Sequence, residues 1–136
     1  MTQFDNFCSN PGQYTNVGAT ATGFGSPTCW TGYSHEVWFQ FTAIASDVVI
    51  GIYGNVSGNG TLNEPQVYLG SGTCTFMSAI ACKESAPGVN FVTITAGGLT
   101  AGLTYYIRVD GRGTNTGTFQ LCINNYTAPP PAGSDG

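Results

Sequence analysis

The stretch Gly98–Gly111, GLTAGLTYYIRVDG, decides how the chain is read. In its second half, Tyr105, Ile107 and Val109 fall on one parity, and Tyr106, Arg108 and Asp110 on the other. A period of two is that of a β-strand, so one face can be buried while the other meets solvent. Turn residues, Ala96–Gly98 and Thr100–Gly102, stand ahead of it, and Gly111 and Gly113 close it. GRGTNTG then leads into TFQLCIN, which predicts a hairpin loop between two strands. Nothing in the stretch demands chemistry.

The same alternation recurs in short runs on either side. His35–Ala43 places Val37, Phe39 and Phe41 opposite Glu36, Trp38 and Gln40. Asp47–Tyr53 follows after a brief turn and reads as its hairpin partner. Pro65–Gly70, Met77–Cys82, Asn90–Thr95, Leu103–Asp110 and Thr116–Asn124 continue the series, and Thr15–Ala21 is an earlier candidate. Long helical periodicity is missing. About eight short strands, rich in β-branched and aromatic residues and separated by Gly, Ser, Asn and Pro, predict an all-β antiparallel sandwich or jelly roll.

Composition narrows the function. The chain has 136 residues, enough for one domain with a real core. Only 7% of residues are charged, and the 20 glycines fit many tight turns. The net charge is −4, with Lys83, Arg108 and Arg112 the three basic residues. That argues against nucleic acid, whose phosphates need clustered Lys and Arg, and against anionic membranes. No apolar run reaches the ~18 residues of a membrane span, so no membrane insertion is expected. Met1 opens directly on domain-like sequence without a signal peptide, and the chain reads as a segment of a larger secreted or cell-surface protein. We expect a domain over residues 1–126 and a Pro/Gly-rich linker or tail over 127–136, where three consecutive prolines favour an extended chain.

The five cysteines, at 8, 29, 74, 82 and 122, form no CxxC pair, and His35 is not spaced to complete a zinc site. Disulfides and an oxidising compartment are the better reading. Cys74 and Cys82 enclose seven residues and are expected to staple a hairpin or loop. Cys8, Cys29 and Cys122 compete for a second bridge, which leaves an odd thiol.

The order FDNFC, PTCW, HEVWFQFTA, VYLGSGTC with AIAC, GLTAGLTYYIRVDG and GTFQLCI resembles the bacterial pre-peptidase C-terminal domain family, in the variants carried by large secreted proteins of Bacteroidetes-type bacteria. The resemblance covers about residues 4–125. It implies a jelly-roll-like sandwich that acts as a non-catalytic accessory or binding module, in some relatives with calcium, matrix protein or polysaccharide. Three departures stand out. Asp5-Asn6 replaces the usual Asn-Asp, Lys83-Glu84-Ser85 stands where an acidic pair is common, and the segment from Cys8 to Cys29 is short. The first two weaken a calcium site.

Ser34, His35 and Glu36 are consecutive, and neighbours on a strand point to opposite faces, so no triad is expected and no enzyme. Calcium needs six to eight oxygens. Asp5, Asn6 and Asp110 are the candidate ligands, with Glu84 and Asn90 behind them, and turn capping is the competing role. Tyr14, Phe24, Trp30 and Tyr33 lie in or beside a Gly-rich loop segment. They are candidates to stack on sugar rings, against a simpler role of covering the open end of the sandwich. Trp38 reads as packing, and Arg108 as a surface group that pairs with Asp110 or Glu36 or binds a partner's carboxylate. Asn55, Asn59 and Asn125 head glycosylation-type sequons that mean little outside a eukaryotic secretory context.

The expectation is therefore a non-catalytic extracellular module for adhesion or targeting. Its partner would be extracellular polysaccharide or protein. The alternative is a structural repeat of a surface filament or stalk, built by contacts between neighbouring copies.

Overall fold

The structure, a computed structural model, describes residues 6–21, 25–73 and 77–127. Nine strands form: β1 (Asn6–Cys8), β2 (Tyr14–Thr15), β3 (Val37–Thr42), β4 (Asp47–Tyr53), β5 (Pro65–Gly72), β6 (Met77–Glu84), β7 (Phe91–Ala96), β8 (Thr104–Gly111) and β9 (Thr118–Tyr126). Among the described residues there is no helix, and so none long and apolar enough to cross a membrane. The linker expected over 127–136 lies, from residue 128 on, outside the described residues.

The strands make two antiparallel sheets, ordered β3-β8-β5-β6 and β1-β9-β4-β7, with β2 also on β9. From β3 to β9 the chain changes sheet at every connection except the β5–β6 hairpin. That winding is a jelly roll, a sandwich in which connections cross between layers. β1 and β2 are one interrupted strand. Cys8 lies opposite Cys122, and the pairing resumes with Tyr14 opposite Phe119. Asn10-Pro11-Gly12 turns the chain out between them, with Gly12 at φ 67. The expected strand Thr15–Ala21 shrinks to this short piece, because the chain turns into a corner at Asn16.

Two expected hairpins are crossovers. β3 pairs with β8, and β4 with β7 and β9, so β3 and β4 lie in opposite sheets. β8 and β9 do likewise. Alternation alone cannot separate a hairpin from a crossover, since both need one buried face. Two buried asparagines satisfy the corner backbone instead of a ladder. Asn125 accepts from the Ile44 N–H at 2.7 Å and donates to the carbonyls of Ala45 and Asp47 at 3.1 and 2.7 Å. Asn16 accepts from the Gly117 N–H at 2.9 Å and donates to the carbonyls of Asn115 and His35 at 3.2 and 3.1 Å. Buried backbone groups need such partners.

The core lies between the layers. Phe41, Leu69, Tyr105, Ile107 and Val109 meet Ile50, Ile52, Ile94, Leu121 and Ile123 there. Each such side chain contributes ~1.5–3 kcal/mol on burial. Leu62, from the β4–β5 connection, is fully buried and plugs one end, its backbone N–H bound to the Thr118 carbonyl.

Candidate functional site

The inner face of β8 is apolar as expected, but its outer face is not solvated. Arg108 is 3% exposed and Asp110 is fully buried. A strap formed by residues 25–36 lies across the outside of the four-stranded sheet. Across that sheet Trp38, Arg108, Tyr68 and Cys82 are successive neighbours in register. Cys29 of the strap is bonded to Cys82 at the sheet edge.

Polar side chains from the strands hold the strap. The Gln66 amide donates to the Gly32 carbonyl at 3.1 Å, and its oxygen accepts from the Thr31 N–H at 3.2 Å. The Asp110 carboxylate accepts from the N–H groups of Ser34, His35 and Gly111 at 3.1, 3.3 and 2.6 Å. Burial pushes the Asp110 pKa up, the three N–H donors pull it back, and the Glu36 charge raises it further. Gly32 has φ +83, and a Cβ there would sit 2.6 Å from Gly113, so strap and β8–β9 connection touch backbone to backbone.

Arg108 is the centre of this layer. Its guanidinium donates to Glu36 through Nε at 2.6 Å and through Nη2 at 3.0 Å, and to the Gly25 carbonyl at 2.7 Å. The rings of Tyr68, Trp38, Trp30 and Tyr33 surround it, with centroids 4.9, 5.3, 5.5 and 5.6 Å away. The expected surface pair is thus a buried, bidentate one inside an aromatic box. Burial raises the Tyr68 pKa, and the Arg108 charge and hydrogen bond pull it back in part.

The other candidates fall apart in space. Trp30 is buried, and its indole N–H donates to the Val67 carbonyl at 3.2 Å. Tyr14 sits on the opposite strand group, edge-on to Phe39 at 4.8 Å and beside Phe119. Phe24 lies outside the described residues. The expected loop platform of Tyr14, Phe24, Trp30 and Tyr33 is therefore not assembled. Trp30 and Tyr33 cover a sheet face rather than an open end of the sandwich. Of the calcium candidates, Asp5 lies outside the described residues, and Asn6 and Asp110 belong to different sheets. No three metal-ligating side chains cluster among the described residues.

Ser34 and His35 do meet, because the strand begins only at Val37. Ser34 Oγ is 2.8 Å from His35 Nδ1 and donates to the Gly113 carbonyl at 3.1 Å. Asp110 binds the backbone of both residues, and Glu36 turns to Arg108. The pair serves as a fastening between strap and β8–β9 connection.

The expected Cys74–Cys82 staple is replaced. Cys82 bonds Cys29, and Cys8 bonds Cys122. With Cys82 bonded to Cys29, its sulfur is not available to Cys74. Cys74 itself lies outside the described residues.

The outer face of the five-stranded sheet is built differently. Phe91 and Tyr53 are cross-strand partners with near-parallel rings, interplanar angle 14° and centroids 6.2 Å apart. A Cβ on Gly51 would lie 2.6 Å from the Tyr53 ring, so the ring lies down along the β4 backbone. Thr93, Thr95, Gln120 and Asn124 share this face. The sequence carried the signal, since Phe91, Thr93 and Thr95 share one parity while Val92 and Ile94 take the other.

No family model matches the chain, and no curated protein and no solved structure matches it.

Proposed function

We propose that the chain is a non-catalytic extracellular recognition module, of the pre-peptidase C-terminal kind that its motifs resemble, in a secreted or surface protein. One observation carries this reading. The groups best suited to chemistry, His35, Glu36, Arg108 and Asp110, are spent on fastening the strap to its sheet. Two disulfides add to that rigidity, which suits an oxidising exterior and the steady presentation of a surface. The partner is extracellular polysaccharide or protein, and the reading calls on no cofactor. Retention of the purified chain on a panel of insoluble polysaccharides and matrix proteins, without product release, is the expected result. Turnover abolished by His35→Ala overturns it.

A second reading is a repeat unit of a filament or stalk. The edge strand β6 supports it, being eight residues long with Ile80 exposed. Such an edge can template pairing with another copy. Ordered polymers in electron micrographs would favour it.

A further inference from the structure

We propose that the outer face of the five-stranded sheet, around Tyr53 and Phe91, is a sugar-binding platform for a neutral polysaccharide of flat, equatorially substituted pyranose units. The proposal rests on the recognition reading above and gives it a place and a ligand class.

Three observations combine. The first is geometric. Tyr53 and Phe91 form a near-parallel stacked pair across β4 and β7, with centroids 6.2 Å apart at 14°. Gly51 lets the Tyr53 ring lie on the sheet, because any larger residue would lift it. Phe91 remains 43% exposed although it is a large apolar side chain. A pyranose with equatorial hydroxyls presents a patch of axial C–H groups, and such a patch rests on a flat aromatic face.

The second observation is the chemistry around the rings. Thr93 and Thr95 continue along β7, and Gln120 lies opposite Tyr53 on β9, its amide N–H donating to the Ser9 carbonyl at 2.8 Å. Hydroxyls and amides both donate and accept, as sugar hydroxyls require. Among the described residues, the charged outward position on β4, β7 and β9 is Asp47, at the far end of β4 from Tyr53. An uncharged face selects a neutral ligand over a phosphorylated or uronic one.

The third is access. Asn6 pairs with Asn124, and Tyr126 with Asp47, so both ends of the described chain leave the sheet at the end away from Tyr53. The strap covers the opposite layer.

The test is a depletion isotherm of the full chain on microcrystalline cellulose and on chitin, at low and high sodium chloride. Binding to at least one, insensitive to salt, is expected. Phe91→Ala and Tyr53→Ala should each weaken it about tenfold, roughly the worth of one stacked ring. Gly51→Ala should weaken it similarly while both aromatics remain, because the ring must tilt. Circular dichroism melting of each variant separates lost fold from lost contact. Wild-type binding untouched by folded Phe91→Ala and Gly51→Ala proteins overturns the platform and leaves the recognition reading standing. No wild-type binding to either polysaccharide overturns the ligand class. Retention on matrix protein alone would then keep the broader reading.

Discussion

The two sheets turn very different outer faces to the world. The four-stranded sheet is roofed by a strap beneath which an arginine and two carboxylates are buried, the arginine among four aromatic rings of which Trp30 and Tyr68 are buried. The five-stranded sheet carries Thr, Asn, Gln, the Cys8–Cys122 bridge opposite Gly51, and an aromatic pair of which Phe91 is exposed and Tyr53 half-buried. On the proposed function, the difference separates a face that holds the fold together from a face left open for recognition. Charges drawn out of water become expensive unless every lone pair is met, so the strapped face cannot vary freely. The open face has no such debt and is free to serve a ligand.

The largest expected effect comes from breaking the strapped face at its charge pair. Glu36→Ala leaves the Arg108 guanidinium buried without its carboxylate. Loss of one partner of a buried pair costs ~3–5 kcal/mol. Urea unfolding should show that drop. On the open face Phe91→Ala should lie well under it, since the ring is partly in water already. Equal losses would erase the distinction between the faces.

The next effect concerns the disulfides. Cys8–Cys122 closes a separation of 114 residues and Cys29–Cys82 one of 53. Loop entropy grows only with the logarithm of length, so either removal costs a similar ~2–4 kcal/mol. Their local consequences differ. Cys29→Ser with Cys82→Ser should raise amide hydrogen exchange across residues 29–36, and Cys8→Ser with Cys122→Ser should do so in β1. Uniform loss of protection in both variants would mean that the strap is not a separable layer.

How much of this was legible follows from what alternation encodes. The strands over Asp47–Tyr53 and around Tyr105, Ile107 and Val109 were readable because a period of two names a buried face directly. The sheet partners were not, since a hairpin and a crossover show the same pattern, and nothing in the sequence marks Asn16, inside an expected strand, or Asn125, heading a sequon, as the residues that fasten the corners. The polar parity of β8 was readable as a face but not as a buried one. Its cover comes from residues 25–36, over seventy positions away. Gly51 beside Tyr53 could be seen, but its meaning needs the ring that lies on it.

Acidity sharpens the comparison further, because two carboxylates respond with opposite sign. Burial raises the Asp110 pKa above its ordinary 3.8. The folded state therefore holds that proton more tightly than the unfolded chain. Its stabilising contribution is complete below the unfolded value and is lost as pH rises through the folded one. Glu64 is held by the Gly88 N–H, which lowers its pKa, assisted by Asn115 and Arg112 against a smaller effect of burial. Its contribution is present above the ordinary 4.5 and is lost as pH falls through the folded value. Melting temperature against pH should thus tilt one way for Asp110→Asn relative to wild type and the other way for Glu64→Gln. Tilts of the same sign would mean that Asp110 is better solvated than its place beneath the strap implies.

The smallest expected effect belongs to Thr95→Val. Thr95 faces outward on the edge strand β7, opposite Val49. Valine keeps the branched shape and the strand preference, and it exchanges one exposed hydroxyl for a methyl beside an apolar neighbour. Surface changes of this kind stay within about 0.5 kcal/mol. A midpoint of urea unfolding indistinguishable from wild type is the expected result. A loss near that of Glu36→Ala would show that the open face is tied into the fold as tightly as the roofed one, and recognition would then have no face free to evolve.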